Sequence, residues 1–346
     1  MKGNVKAGMG FWPAAVVAGC CIFILSFAVK SMRQYEFNGH AQGTTYHIFY
    51  FAEDSLVCLK QFDSIFSNLD SSLSIYKPYS LISRFNSSAS GLPMDKHLKA
   101  VVEKSLIIYE ESGGLFDITV YPIVTAWGFG AHYIGDFPDS SQIKTLMKCV
   151  GSKYIYLKGD FLEKKIPCVK IDVNGIAQGY TVDVIAGFLE SKGIENYLVE
   201  VGGELRVKGY KQPGHHAMRI GIESPAAQKE DEQSMQKIIE LHDGAVTTSG
   251  TYRKQRKFGN QTVSHLMDPK TGYPISNEMI SATVVAKDAL TADGYDNVLM
   301  GLGLREALLF MQRHTDMEAY FIYHKPDGSV GDAATPGFHK LVKENP

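Results

Sequence analysis

Runs rich in aromatic and β-branched residues alternate along this chain with apolar stripes at helical spacing, and that intermixing constrains the fold more than any other feature. Residues 45–51 (TYHIFYF) have strand character. Leu56, Leu59, Phe62, Phe66 and Leu69 recur at helical spacing, as do Leu98, Val101, Val102, Leu106 and Tyr109. Val182, Ile185, Ala186 and Leu189 make a third stripe, stopped by Gly193. Further strands are predicted at 154–157, 169–173, 197–201, 204–208, 218–222, 237–241, 280–286 and 319–323, and helices at 291–302 and 304–314. Strands and helices in this irregular order predict an α+β architecture of mixed sheets with packed helices, not a regular βαβ array. A GxGxxG fingerprint and a P-loop are both missing, so a nucleotide, if bound, is held another way.

The N-terminus carries a separate signal. Residues 11–29 are uncharged and almost wholly apolar, flanked by Lys2 and Lys6 before and Lys30 and Arg33 after. About 20 such residues suffice to cross a bilayer as a helix. The sequence therefore predicts an N-terminal membrane helix at 11–29 after a cytoplasmic n-region at 1–10, a linker at 30–42 and one domain at 43–343. Val17-Ala18-Gly19-Cys20 resembles a lipobox, but the residues after Cys20 stay apolar, so an uncleaved anchor is the preferred reading. A net charge of -2 gives no basic field for nucleic acid. Cys58, Cys149 and Cys168 are scattered, with no CxxC pair and no histidine at ligand spacing, which argues against a disulfide framework and a zinc site.

Several stretches dense in Gly, Asp, Ser, Thr and His fall between the predicted elements, where sites usually sit. Tyr76, in LSIYKP, can stack on a flat ring. Gly113-Gly114-Leu115-Phe116-Asp117 offers glycines for close backbone approach and a carboxylate for a ribose or amide edge. Asp172-Val173-Asn174-Gly175-Ile176-Ala177-Gln178-Gly179-Tyr180 opens a helix, whose N–H groups favour phosphate and whose loop carbonyls can ligate a hard cation. The hydroxyls of Thr247, Thr248 and Ser249 suit phosphate oxygens, and His265, in SHLMDPKTGYP, is the best general acid/base candidate. Asp293 and Asn297 are four apart, hence on one helix face, which suits magnesium. Each stretch also has a plain structural reading: a buried tyrosine, a helix cap, a strand-to-helix turn or an acidic helix start.

Taken together and in order, LSIYKPYSLISRFN, SGGLFDITVYP, DVNGIAQGYTVD, VEVGGELRVKG, TTSGTYRK and SHLMDPKTGYP resemble the motif set of the bacterial FAD:protein FMN transferases, the ApbE family. The resemblance runs from Gly43 to Gly301, nearly all of the soluble chain. It implies a T-fold-related α+β fold, and an enzyme that transfers the FMN half of FAD to a Thr or Ser hydroxyl of an acceptor protein with release of AMP. Tyr76, Leu115, Phe116, Asp117, Asn174, Tyr180 and Met267 match FAD-contacting positions. Ala177 matches the carbonyl that ligates magnesium and Asp293 its carboxylate ligand, while Asn297 stands where the family usually has threonine and Asp296 lies beside it. His265 matches the histidine at the reaction centre, with Asp268 or Asp293 as rival bases. Gln178 replaces the usual Lys or Glu, Asn174 a common Gly, and Gln42 a frequent Met. The resemblance further implies an acceptor that is a subunit of a redox complex and a location on the periplasmic side of the bacterial inner membrane. An FAD pyrophosphatase and a non-catalytic flavin-binding envelope protein are the alternative readings.

Overall fold

The computed structural model describes residues 32–131, 136–223, 235–252, 255–258 and 261–343. The apolar run at 11–29 and Cys20 lie outside them, and among the described residues no helix is long and apolar enough to cross a membrane. The described residues form one unit.

The chain begins β1 (Arg33–Ala41), β2 (Thr44–Ala52), α1 (Leu59–Leu73), α2 (Leu81–Ser87), β3 (Gly91–Pro93) and α3 (Lys96–Glu111). It continues α4 (Tyr121–Ala126), α5 (Ser140–Leu146), β4 (Ile155–Lys158), β5 (Phe161–Lys164), α6 (Ala177–Ser191), β6 (Tyr197–Val201), β7 (Glu204–Lys208), β8 (Met218–Glu223) and β9 (Met235–Leu241). It ends β10 (Asp243–Gly250), β11 (Gln255–Phe258), β12 (Gln261–Ser264), β13 (Met279–Ala286), α7 (Ala289–Leu302), α8 (Leu304–Met311), β14 (Glu318–His324), β15 (Val330–Ala334), α9 (Pro336–Leu341) and β16 (Val342–Lys343).

Eight strands form the main sheet in the order β1-β2-β6-β7-β10-β13-β14-β15. Every adjacent pair is antiparallel. One face is covered by α6 and α7: Val182, Ile185 and Ala289 pack with Ile48, Tyr197 and Ala245, and Ala292, Val298 and Leu299 with Ala282 and Val284. The other face meets β8, β9 and α9, where Ile220, Ile239 and Phe338 close on Phe49, Val246 and Tyr320. Central β13 is therefore buried on both faces at every residue, which explains a sequence of apolar residues interrupted only by the small hydroxyl residues Ser281 and Thr283.

The α+β reading holds, and four local readings do not. The linker at 30–42 contains a strand: β1 pairs with β2 along its length through a turn at Gln42 and Gly43, both at positive φ (52° and 78°). That is the backbone a two-residue hairpin wants, reached without the usual Asn-Gly. Residues 169–173 are not a strand, because their hydrogen bonds go elsewhere. Ile171 exchanges bonds with the side-chain amide of Asn86 (2.7 and 2.8 Å), and the Asp172 N–H donates to the Ile118 carbonyl (2.7 Å). The Thr- and Ser-rich stretch around 247 is β10, in the middle of the main sheet, not a loop. Finally, Cys149 and Cys168 form a disulfide across 19 residues, which their spacing alone did not reveal.

Candidate active site

The Asp172–Ala177 loop delivers the chain to the start of α6. The Asp172 carboxylate accepts the Asn174 N–H (2.9 Å), and the N–H groups of Ile176 and Ala177 return to the Val173 carbonyl (3.0 and 2.9 Å). Ile176 occupies the cap position and supplies no side-chain acceptor, so the first-turn N–H groups need partners elsewhere. Asp293 of α7 provides one: its Oδ2 accepts the Gly179 N–H at 2.8 Å. A carboxylate at a helix N-terminus is favoured by the helix dipole. The approach requires glycine. A Cβ on Gly179 would stand 2.2 Å from the Ala289 carbonyl oxygen and 2.7 Å from the Asp293 Cβ.

Asp293 is only 5% exposed. Burial holds its pKa well above the usual carboxylate range and the neighbouring Asp183 charge adds to this, opposed by the Gly179 N–H. Asn297 closes the same face of α7. Its Nδ2 lies 3.1 Å from the Gly175 carbonyl, 2.9 Å from the Asp293 carbonyl and 3.0 Å from Asp296 Oδ1, while its Oδ1 accepts the Ser249 hydroxyl at 3.3 Å. The Ala177 carbonyl accepts the Thr181 hydroxyl (2.9 Å).

The donor set fits a hard cation. Among the described residues no hydrogen bond reaches Asp293 Oδ1, leaving a buried carboxylate with a single N–H partner on its other oxygen. Ala177 adds a carbonyl oxygen and Asn297 an amide oxygen, the kind of partial oxygen set with which magnesium keeps waters and phosphate. Among the described residues no group of three or more His, Cys, Asp and Glu side chains is arranged to hold a metal ion. Asp296 is buried and faces the Asn297 amide nitrogen.

The remaining candidates divide between loop surface and packing. Tyr76 is 57% exposed; burial of its hydroxyl end raises its pKa, Asp172 adds to that, and the Asn174 side chain opposes it. Leu115 is half-buried, and Phe116 is buried with its N–H bonded to the Ser112 hydroxyl (3.1 Å). Phe116 and Asn297 both border Gly175, so this loop meets the α6–α7 junction. Asp117 is engaged internally: Oδ1 accepts the Thr119 N–H and hydroxyl and the Ser152 hydroxyl, and Oδ2 accepts the Ser152 N–H (2.6–2.9 Å). These bonds saturate Oδ1 and fix the loop, while Oδ2 keeps one acceptor position. Tyr180 shares a 2.9 Å hydrogen bond with His97 Nδ1, and burial pushes its pKa up to about 12. Burial also lowers that of His97, keeping the imidazole neutral near pH 7.

His265 is half-buried, its ring 6.2 Å from that of Phe129. Met267 is buried among Ile123, Trp127, Ile143 and Val150. Asp268, the rival base, is tied into its own turn, accepting the Lys270 N–H and the Thr271 hydroxyl (both 2.8 Å).

The motif reading missed the pair that aims α7. Asp183 of α6 accepts the N–H groups of Ala289 and Leu290 (3.0 and 2.8 Å) and holds Arg206 of β7 at 2.8 Å. Burial raises its pKa, offset by those three donors. The signal was available: Asp183 is a charged residue in an otherwise apolar helical stripe.

Fold and site together define an α+β protein whose polar centre is the meeting point of two helix N-terminal segments, lined by oxygen acceptors and close-packed glycine. Residues 42–321 match the ApbE family, and the chain belongs to that family. A Vibrio cholerae protein named FAD:protein FMN transferase is 36% identical over 295 residues, covering 83% of this chain and 87% of its own. A Haemophilus influenzae protein of the same name is 29% identical over 343 residues, 95% of this chain and 98% of its own. Among solved structures, the flavin transferase ApbE from Vibrio cholerae superposes with a TM-score of 0.80 at 32% identity, covering 90% of this chain and 99% of that one. The apo form of the Pseudomonas stutzeri flavinyl transferase ApbE gives a TM-score of 0.80 at 31% identity, with 90% and 98% covered.

Proposed function

We propose that this chain is an FAD:protein FMN transferase, which cleaves the FAD pyrophosphate and leaves FMN esterified to a Thr or Ser hydroxyl of an acceptor protein, a subunit of a redox complex. The observation that carries the reading is the junction where Asp293 meets Gly179 two residues from the Ala177 carbonyl, with Asn297 bordering Gly175. The names of the similar proteins support the same activity.

The pyrophosphate is received at the start of α6, where the positive end of the helix dipole favours phosphate. Tyr76 offers its exposed ring for stacking beside Asn174, and Leu115 lines the approach. Asp293, Asn297 and the Ala177 carbonyl would hold magnesium, which would supply neutralisation of the charge building on the leaving phosphate. The acceptor hydroxyl oxygen bonds to the FMN phosphorus, the bond from that phosphorus to the bridging oxygen breaks, and AMP leaves with the electron pair. His265 takes the hydroxyl proton. With Asp268 held in its turn and Asp293 assigned to the cation, His265 is the preferred base.

The apolar segment at 11–29 tethers the enzyme to the inner membrane, with the domain on the periplasmic side beside its acceptor. The Cys149–Cys168 disulfide supports a compartment of that kind, since such bonds persist where the surroundings are oxidising. The test is mass spectrometry of a Thr-bearing acceptor after incubation with the full chain, FAD and magnesium. Transfer gives an FMN mass increment on the acceptor; free FMN alone would make the chain a pyrophosphatase, and intact FAD would make it a binding protein.

A further inference from the structure

Thr247 lies in the middle of β10, fully buried, and its hydroxyl has no hydrogen-bond partner among the described residues. A buried hydroxyl left without a partner is unfavourable, so one retained in a sheet centre calls for a partner. Its neighbours show where it points. Side chains alternate along a strand, so Ala245, Thr247 and Ser249 share a face. Ala245 packs in the same cluster as Ala289, and its β7 partner Arg206 holds the Asp183 that caps the start of α7. Ser249 bonds Asn297. The cross-strand partner of Thr247 is Val284, which packs with Ala292 and Val298 of α7. All these contacts lie on the α7 side of the sheet.

The two elements run in step. The four residue steps from Ala245 to Ser249 span about 13 Å along the strand, and the eight steps from Ala289 to Asn297 span about 12 Å along the helix. The midpoint of the first interval is Thr247 and that of the second is Asp293. The hydroxyl without a partner thus falls level with the carboxylate whose Oδ1 accepts no hydrogen bond among the described residues. The two are not bonded to each other, so a group between them has an acceptor on one side and a hydroxyl oxygen on the other.

We propose that Thr247 Oγ1 is a further oxygen donor of the cation site, lying across from Asp293 and completing on β10 what Ala177 and Asn297 supply from the helices. This rests on the cation reading given under Proposed function. It assigns a role to a threonine that the strand position alone leaves unexplained.

The test is binding of Mn2+ to the full chain with FAD present, followed by the electron paramagnetic resonance signal of the free ion, for wild type, Thr247→Val, Thr247→Ser and Asp293→Ala. Valine keeps the shape and removes the oxygen; serine keeps the oxygen. Thr247→Val is expected to weaken Mn2+ binding about 10-fold, the lower end of what losing a supporting ligand usually does. Thr247→Ser is expected to stay within about 2-fold of wild type, and Asp293→Ala to lose the ion. The metal-free Thr247→Val protein should melt no lower than wild type, because a buried hydroxyl without a partner has been removed. A Thr247→Val chain that binds as wild type while Asp293→Ala does not overturns this proposal and leaves the cation site standing. Wild-type binding by Asp293→Ala overturns the cation site itself. A Thr247→Ser chain as weak as Thr247→Val assigns the loss to packing and also overturns the proposal.

Discussion

Gly179→Ala tests whether the contact between α6 and α7 is as tight as the structure places it. In an ordinary helix this change would stabilise the protein by about 1 kcal/mol, because alanine is the better helix former. Here the added methyl would sit 2.2 Å from the Ala289 carbonyl oxygen and 2.7 Å from both the Ala289 carbonyl carbon and the Asp293 Cβ. Two of those atoms are backbone, at the α7 end pinned by Asp183, so the helices must separate. Overpacking of this kind costs about 1–3 kcal/mol. Separation also stretches the 2.8 Å bond from the Gly179 N–H to Asp293, a charge-assisted bond worth about 1.5–3 kcal/mol when the acid is ionised. Setting the helix gain against these losses leaves a net destabilisation of about 1.5–5 kcal/mol. Chemical denaturation of wild type and Gly179→Ala at neutral pH measures it, and magnesium titration of the same samples should show weaker binding. A variant as stable as wild type, or more stable by the helix-propensity increment, would refute the packing argument.

Replacing both Cys149 and Cys168 by Ser should lower stability by about 3 kcal/mol, the chain-entropy value for a loop of this size, read by urea denaturation under oxidising conditions; an unchanged midpoint would show that the bond constrains nothing. Burial, with a contribution from Lys170, lowers the pKa of Lys164 to about 8, although its ammonium donates to the Ser88 carbonyl (2.9 Å) and sits 4.4 Å over the Phe85 ring. Between that value and an ordinary lysine pKa of about 10.4 the unfolded chain holds more protons than the folded one, so the Lys164 contribution makes stability rise with pH across the window, and the full penalty is present below it. The difference in stability between wild type and Lys164→Met should therefore shift by about 2–3 kcal/mol from pH 7 to pH 10.5, and a pH-independent difference would contradict the assignment. Asp293→Asn removes a buried charge but keeps an acceptor for Gly179, so the metal-free variant should melt at or above wild type near pH 8 while magnesium no longer raises its melting temperature.

The sequence announced what depends on repetition and concealed what depends on contacts. The stripes from Leu98 to Tyr109 and from Val182 to Leu189 became α3 and α6, because one helix face meets one core. Strand β10 was hidden, since Thr247, Thr248 and Ser249 read as loop residues until β7 and β13 flank them. Strand β1 was hidden because its exposed, polar alternation resembles a connector and its pairing with β2 is visible only in three dimensions. That Asp293 and Asn297 share one face of α7 was legible from their four-residue spacing. The internal engagement of Asp117 was not, because Ser152 reaches it from 35 residues away. Nor did any local pattern tell that Asp183 and Arg206, on different elements, set the start of α7.

A crystal structure of the full chain with FAD and Mn2+, the ion located by its anomalous signal, bears most directly on the central claim. The account predicts the ion bonded to an Asp293 oxygen and to the Ala177 carbonyl, at about 2.1–2.2 Å as for a small hard cation, with the FAD pyrophosphate on its open side at the start of α6. An ion or a pyrophosphate bound away from the α6–α7 junction would contradict it.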